Sequence, residues 1–223
     1  MIFNKEGVAF PDYQNREGRF FRYTEHHDVR QWEFCKKHFK ATRVCVDFGG
    51  HVGTSALMFA PVFDTVYSFE PIPDLYECLE YNTKDIPNVT INNVAISDYN
   101  GNTTIHINPS NSGANMIESP ETKKLIKSRW GNKDRTNFQE AGSIEVECRT
   151  IDSYNLADVD FIKIDTEGYN MEPLRGMIET LERCSPVIQL ERGVPYFPDA
   201  QHFLEGLGYR LIKTIEMDDI FVK

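Results

Sequence analysis

Four short apolar runs each deliver a carboxylate: VCV ends at Asp47, VYSF at Glu70, FIKI at Asp165 and VIQL at Glu191. If those runs are neighbouring parallel strands, the four acids meet on one rim, where an open α/β sheet holds its ligand. Acids gathered there favour a cationic ligand, an acceptor hydroxyl or a proton in transit. Glu167 lies two residues past Asp165, with Gly168 at the turn. Such a pair can orient a ligand, hold a hydroxyl or accept its proton. It would also suit Mg²⁺, which takes carboxylates and keeps several waters. Nothing else in the sequence supports a metal, and no metal ligand is assigned. The plain alternative is a helix N-terminus whose acids match its dipole.

The stretch VCVDFGGHVGTSALMF, residues 44–59, carries a second signal. Gly49, Gly50 and Gly53 permit a tight turn, close approach of backbone to a ligand and close packing of the next helix. Thr54 or Ser55 can cap that helix. A dinucleotide site puts pyrophosphate at such a helix N-terminus and shows GxGxxG. Here Phe48 stands two places before Gly50, and Asp47 precedes the turn. A carboxylate there repels pyrophosphate but suits a ligand bearing an ammonium and a sulfonium. The turn therefore favours S-adenosylmethionine over NAD. Glu70 can accept two hydrogen bonds from a ribose diol, and Phe69 and Pro71 can flank the nucleoside. In NNVAISDYNG, residues 92–101, Val94 and Ala95 offer apolar contact to adenine, and Asn93 or Asp98 could take its exocyclic amine.

The elements that must position these residues follow from pattern. Residues 1–40 form a lead-in with a helix near Asp28–Phe39; residues 41–223 form the main domain. From Arg43 onward strand and helix signals alternate, which predicts a doubly wound, mostly parallel seven-stranded α/β sheet with helices on both faces. Expected strands are Val44–Val46, Thr65–Phe69, Val89–Ala95, Thr103–Ile107, Ile144–Arg149, Phe161–Ile164 and Pro186–Leu190. Tyr209–Ile215 and Ile220–Val222 should close the chain as an antiparallel hairpin. Helices are expected from Thr54, over Asp74–Thr83, over Asn170–Leu181 and over Asp199–Leu207. Asn100-Gly101 suggests a hairpin turn. Residues 108–142 read as a loop insertion with one helix at Thr122–Trp130, a candidate lid whose Trp130 and Phe138 could stack on a sugar or anchor the loop.

Composition narrows the function. The chain has 223 residues, 40% apolar and 26% charged, with a net charge of −10. A chain this acidic is poorly equipped to grip a phosphate backbone, so nucleic acid is not the expected partner. The one basic run, around Lys123, Lys124, Lys127 and Arg129, reads as a solvated helix face. No apolar run approaches the roughly 18 residues of a membrane helix, and the N-terminus lacks the pattern of a secretory signal. Five scattered cysteines without CxxC spacing read as reduced thiols. A cytoplasmic protein that does not engage membrane is expected; nothing bears on its oligomeric state.

Taken in order, VDFGGHVGTSALMF, VYSFEP, NVAISDYNGNTTIHI, CRTIDSY and FIKIDTEGYNMEPLRGMIETLE resemble the FkbM family of class I methyltransferases over roughly residues 43–191. KIDTEG is the most specific piece. The resemblance implies a Rossmann-like sheet and methyl transfer from S-adenosylmethionine, typically to a hydroxyl of a sugar or natural product. It implies cofactor binding by Asp47, Gly49, Gly53 and Glu70, with Asp165 and Glu167 as active-site acids. NSGAN at 111–115 is similar to a small polar loop near the family's site. His51 and Asn170 depart from the family pattern, which more often has Asn and an acid there.

Methyl transfer is an in-line displacement, so holding the nucleophile about 3 Å from the methyl carbon is the main requirement. An alcohol acceptor also needs somewhere to leave its proton. The order of candidates for that base is Asp165 or Glu167, then Glu191, then His51. The expected cofactor wall comprises Asp47, Gly49, Gly50, His51, Gly53, Thr54, Glu70, Pro71, Val94, Ala95 and Asp165. Two other readings compete: a nucleotide-dependent oxidoreductase on a similar sheet, and a non-catalytic interaction module.

Overall fold

The computed structural model describes residues 1–13, 28–108, 112–119, 122, 142–192 and 199–223. Strands β1 (Ile2–Phe3) and β2 (Ala9–Phe10) pair antiparallel, and helix α1 (Val29–Cys35) runs on into a 3-10 turn at Lys36–His38. The alternating part begins with β3 (Val44–Phe48), α2 (Thr54–Phe59), β4 (Thr65–Phe69), α3 (Pro73–Thr83) and β5 (Val89–Asn92). Four strands follow: β6 (Ala95–Ile96), β7 (Gly101–His106), β8 (Met116–Ile117) and β9 (Ser143–Arg149). The chain then forms β10 (Val159–Ile164), α4 (Met171–Arg175), α5 (Ile178–Cys184) and β11 (Val187–Glu191). It ends with α6 (Asp199–Gly206), β12 (Arg210–Ile215) and β13 (Asp218–Val222).

Seven strands make one sheet in the order β12-β13-β11-β10-β3-β4-β5. All are parallel except β13, which runs antiparallel to both neighbours. Central strands covered on both faces need apolar side chains on both, and β10 is buried at every position. Val46, Phe48, Ile162 and Ile164 face one layer with Leu174, Met177 and Leu181. Cys45 and Phe161 face the other, against Trp32 of α1 and Phe59 of α2. Progression reverses between β3 and β10, so the crevice at their carboxyl ends is where a ligand fits. Among the described residues no helix is long and apolar enough to cross a membrane.

Four local expectations need correction. Val89–Ala95 is not one strand: pairing in the large sheet stops at Asn92, and Ala95–Ile96 joins a second, four-stranded sheet ordered β6-β9-β7-β8. The break sits at Asn93, whose side-chain amide donates to the Glu70 carbonyl. Asn100-Gly101 does not close a hairpin, because β6 and β7 both pair with β9 rather than with each other. The helix expected over Asn170–Leu181 is two helices. Gly176 separates them, where a Cβ would lie 1.9 Å from the Ser97 carbonyl oxygen. Residues 108–142 are not free of strands, since β8 pairs with β7. The expected helix at Thr122–Trp130 (Thr122 apart), its basic run, and Phe138 lie outside the described residues.

The lead-in contributes two strands as well as the expected helix. Asn82 on α3 clamps β2, accepting from the Ala9 amide and donating to the Ala9 carbonyl. On the other side Trp32 packs within 4.9–6.2 Å of Phe39, Phe59, Phe63 and Phe161. Replacing Trp32 by Ala therefore empties an aromatic cluster and should destabilise the domain by about 3–5 kcal/mol, read from denaturant unfolding. A loss below about 1 kcal/mol would mean that α1 is not part of the core.

Candidate active site

A cavity of about 630 Å³ opens at the carboxyl ends of β3, β4, β10 and β11, a size that suits a small-molecule cofactor. Of the residues expected to form it, Gly49, Gly50, His51, Thr54, Glu70, Pro71, Val94, Ala95, Asp165, Glu167 and Glu191 all line its wall. Asp47 and Gly53 do not. Asp47 is fully buried in the sheet and accepts a hydrogen bond from the Ser68 hydroxyl. Gly53 caps α2 with φ 93 and packs on Leu79. Asn93 is bound to the Glu70 carbonyl, and neither it nor Asp98 reaches the wall.

The glycine turn is shaped by crowding. A Cβ on Gly49 would lie 2.0 Å from the Asp165 carbonyl oxygen, and one on Gly50 2.2 Å from the Ser68 hydroxyl. The turn also commits its amides inward. Gly49 and Gly50 both donate to the Phe69 carbonyl, and Gly53 donates to that of Gly50. The His51 amide donates to Glu70 Oε2 at 2.9 Å, and the Ile72 amide to Glu70 Oε1 at 2.9 Å. Burial pushes the Glu70 carboxyl up to about 8, against these two donors, which favour its charged form. The His51 ring turns toward the loop after β7, with Nε2 2.8 Å from the Ser112 hydroxyl. That contact ties the small polar loop to the glycine turn and keeps the His51 ring from the rim acids.

Across the cavity Asp165, Glu167 and Glu191 bring carboxyl oxygens within 4.8 Å of one another. Glu167 holds this position with a left-handed φ of 52. Burial, then the charges of Asp165 and Glu167, hold the Glu191 carboxyl well above its usual range. Its Oε2 is sealed from solvent and makes no hydrogen bond. Three oxygens this close could share a cation, but Asp165 already meets the ammonium of Lys163 at 2.6 Å, and no metal is assigned. Asn170 donates its side-chain amide to the Glu191 carbonyl and accepts from Thr166. An acid could not make that donation, so the amide serves the turn itself.

Sequence reasoning missed the far wall. Asp28 just before α1 and Gln31 within it, with Glu216 and Met217 of the β12–β13 turn and Asp218 at the start of β13, also line the cavity. It missed Lys163 too, the only Lys or Arg on the wall among the described residues. The available signal was a charged residue inside the otherwise apolar FIKI strand.

Sheet order, antiparallel last strand and cavity together define a class I methyltransferase fold. The methyltransferase FkbM domain matches residues 47–211, and the chain belongs to that family. It is 25% identical over 150 residues to the hexuronic acid methyltransferase AglP of Haloferax volcanii, covering 66% of this chain and 56% of that one. It superposes on the crystal structure of methyltransferase FkbM from Methylobacillus flagellatus with a TM-score of 0.55 and 14% identity, covering 82% of this chain and 44% of that one. The chain thus spans about half the length of these two relatives.

Burial raises Asp47 and Asp218 to about 6 and Glu70 to about 8. The folded state therefore keeps protons that the unfolded chain has already released. Their contribution to native stability is full in acid and is lost as pH climbs toward 8. Urea midpoints of the ligand-free domain should accordingly show a smaller loss between pH 5 and pH 8 in Glu70→Gln than in the parent. Equal losses would mean that Glu70 ionises normally.

Proposed function

We propose that this cavity binds S-adenosylmethionine and that the domain passes its methyl group to a hydroxyl of a sugar, glycan or small natural product. The glycine turn carries the reading. Its amides at 49, 50, 51 and 53 are committed to internal acceptors, and what it presents is the Glu70 carboxylate. A pyrophosphate needs free N–H donors at that place; a ribose diol needs an acceptor such as Glu70. The oxidoreductase reading is disfavoured on the same grounds.

When bound, the cofactor supplies a methyl carbon already activated by its sulfonium. Val94, Ala95 and Ile96 offer an apolar flank for the nucleobase. Asp165 and Glu167 face the reacting groups, and Glu191, whose carboxyl is held above its usual range, is placed to take the acceptor's proton. Once ionised, a carboxyl shifted that way is the stronger base, so turnover should rise with pH as Glu191 loses its proton. A sugar hydroxyl as acceptor is favoured by the relative named as a hexuronic acid methyltransferase. The acid-lined wall and the net charge of −10 count against nucleic acid. Five free cysteines fit a reducing, cytoplasmic setting.

Calorimetry should show uptake of S-adenosylmethionine and none of NAD; the reverse result overturns the reading. Glu70→Ala should weaken cofactor binding about 100-fold, because the cofactor's positive charge draws the Glu70 carboxyl into its ionised form and the variant loses two hydrogen bonds to that charged group. With a tritiated methyl donor and a panel of hexoses and hexuronic acids, Glu191→Gln should lower kcat about 100-fold while cofactor affinity stays within about threefold. Unchanged turnover in that variant removes Glu191 from proton transfer.

A further inference from the structure

Lys163 lies in the middle of β10, 2% exposed, inside the motif the sequence marks as most specific. It belongs to a polar row across one face of the sheet. Ser68, Asp47, Lys163 and Gln189 occupy successive register positions on β4, β3, β10 and β11. The row continues through hydrogen bonds: Gln189 donates to Asp218 of β13, and Gln31 of α1 donates to the other oxygen of the same carboxylate. Asp28, immediately before α1, brings its Oδ2 to 3.7 Å from the Lys163 ammonium.

Where the ammonium points separates two roles. A countercharge serving only the buried sheet would bond Asp47, its fully buried neighbour in register. Asp47 instead keeps Oδ1 without a hydrogen-bond partner. The short contact of Lys163, 2.6 Å, goes to Asp165, whose side chain is 29% exposed at the cavity rim. Other charged or titratable groups facing Lys163 are Asp28 immediately before α1, Cys45 and Asp47 on β3, Glu191 on β11 and Asp218 on β13. Burial works against the ammonium, but Asp165, Asp28 and Asp47 outweigh it and hold Lys163 well above the usual lysine range. It therefore stays charged wherever the enzyme works.

We propose that Lys163 is a positioning residue of the methyl-transfer site, fixing the Asp165 carboxylate toward the reacting groups and, through Asp28, coupling the docking of α1 to that geometry. The proposal rests on the reading that Asp165 faces those groups. It also explains how neighbouring acids take different tasks. Asp165, next to a permanent cation, orients; Glu191, crowded by Asp165 and Glu167, receives the proton.

Four variants test it, each checked for folding by thermal melting: Lys163→Met, Lys163→Arg, Asp28→Asn and Asp165→Asn. With the hexose and hexuronic acid panel, K163M should lose about 100-fold in kcat while KM for S-adenosylmethionine stays within about threefold. The pH below which K163M loses activity should rise by about one unit or more, since rim carboxylates without their cation take up protons more readily. K163R should restore that pH limit but not the full rate, because a guanidinium cannot reproduce the compact contact. A K163M enzyme that melts lower yet keeps the parental kcat and pH limit would overturn the proposal. If K163M does not fold, K163R and D28N decide: a tenfold loss of kcat in K163R and a smaller one in D28N support it, and parental rates in both sink it. Full activity in D165N would show instead that the reading of Asp165 is at fault. If the parent methylates nothing on the panel, calorimetry with S-adenosylhomocysteine against pH reads the same limit. A limit raised in K163M and restored in K163R supports the coupling, and coincident curves overturn it.

Discussion

The backbone leaving β3 passes between the ends of β4 and β10 with no room for a side chain. At Gly49 the obstacle is the Asp165 carbonyl; at Gly50 it is the Ser68 hydroxyl. The Asp165 amide in turn donates to the Phe48 carbonyl, so the turn and the end of β10 are locked to each other from both sides. The part of the crevice that meets a nucleoside and the part that carries the rim acids are thus one rigid unit. A side chain at either glycine would move both at once, which is why this crowding governs the site more than the conformational freedom of glycine does.

Charge is the second theme. Asp28, Asp165, Glu167, Glu191, Glu216, Asp218 and Glu70 all reach the same wall, and Lys163 is the only Lys or Arg beside them among the described residues. Assembling such a wall opposes folding, because like charges repel more strongly as they leave water. Several of the group answer by ionising only at higher pH than usual, as the raised Glu70, Asp218 and Glu191 do. A ligand bearing a sulfonium and an ammonium relieves that repulsion, and a diphosphate would add to it. The same electrostatics that weaken the empty domain therefore select its cofactor.

Much of this was legible in the sequence. Strands buried on both faces announce themselves as continuous apolar runs, and their final acids give the rim. Eleven of the residues expected at the site stand on the cavity wall. What could not be read depends on contacts distant in the chain. Asp47 looks like a rim acid because it ends an apolar run, yet its register beside Lys163 and Ser68 puts it inside the sheet. The helix after β10 is periodic in sequence, but the Ser97 carbonyl divides it at Gly176. Asp28 and Gln31 sit in a lead-in without a motif, and contacts distant in the chain, Trp32 on Phe161 and Gln31 to Asp218, bring them to the cavity.

The second sheet has a consequence of its own. The chain departs from β7 at His106 and returns to β9 at Ser143, and these two residues are partners in the ladder. Whatever lies between them hangs from a closed clasp whose register is set by five further pairs. Doubling a loop between such fixed ends costs only about 0.6 kcal/mol in chain entropy, so its length can change without opening the ladder. Sequence can therefore be inserted between the ladder's ends at little cost, provided that Ser112 and β8 keep their contacts with His51 and β7.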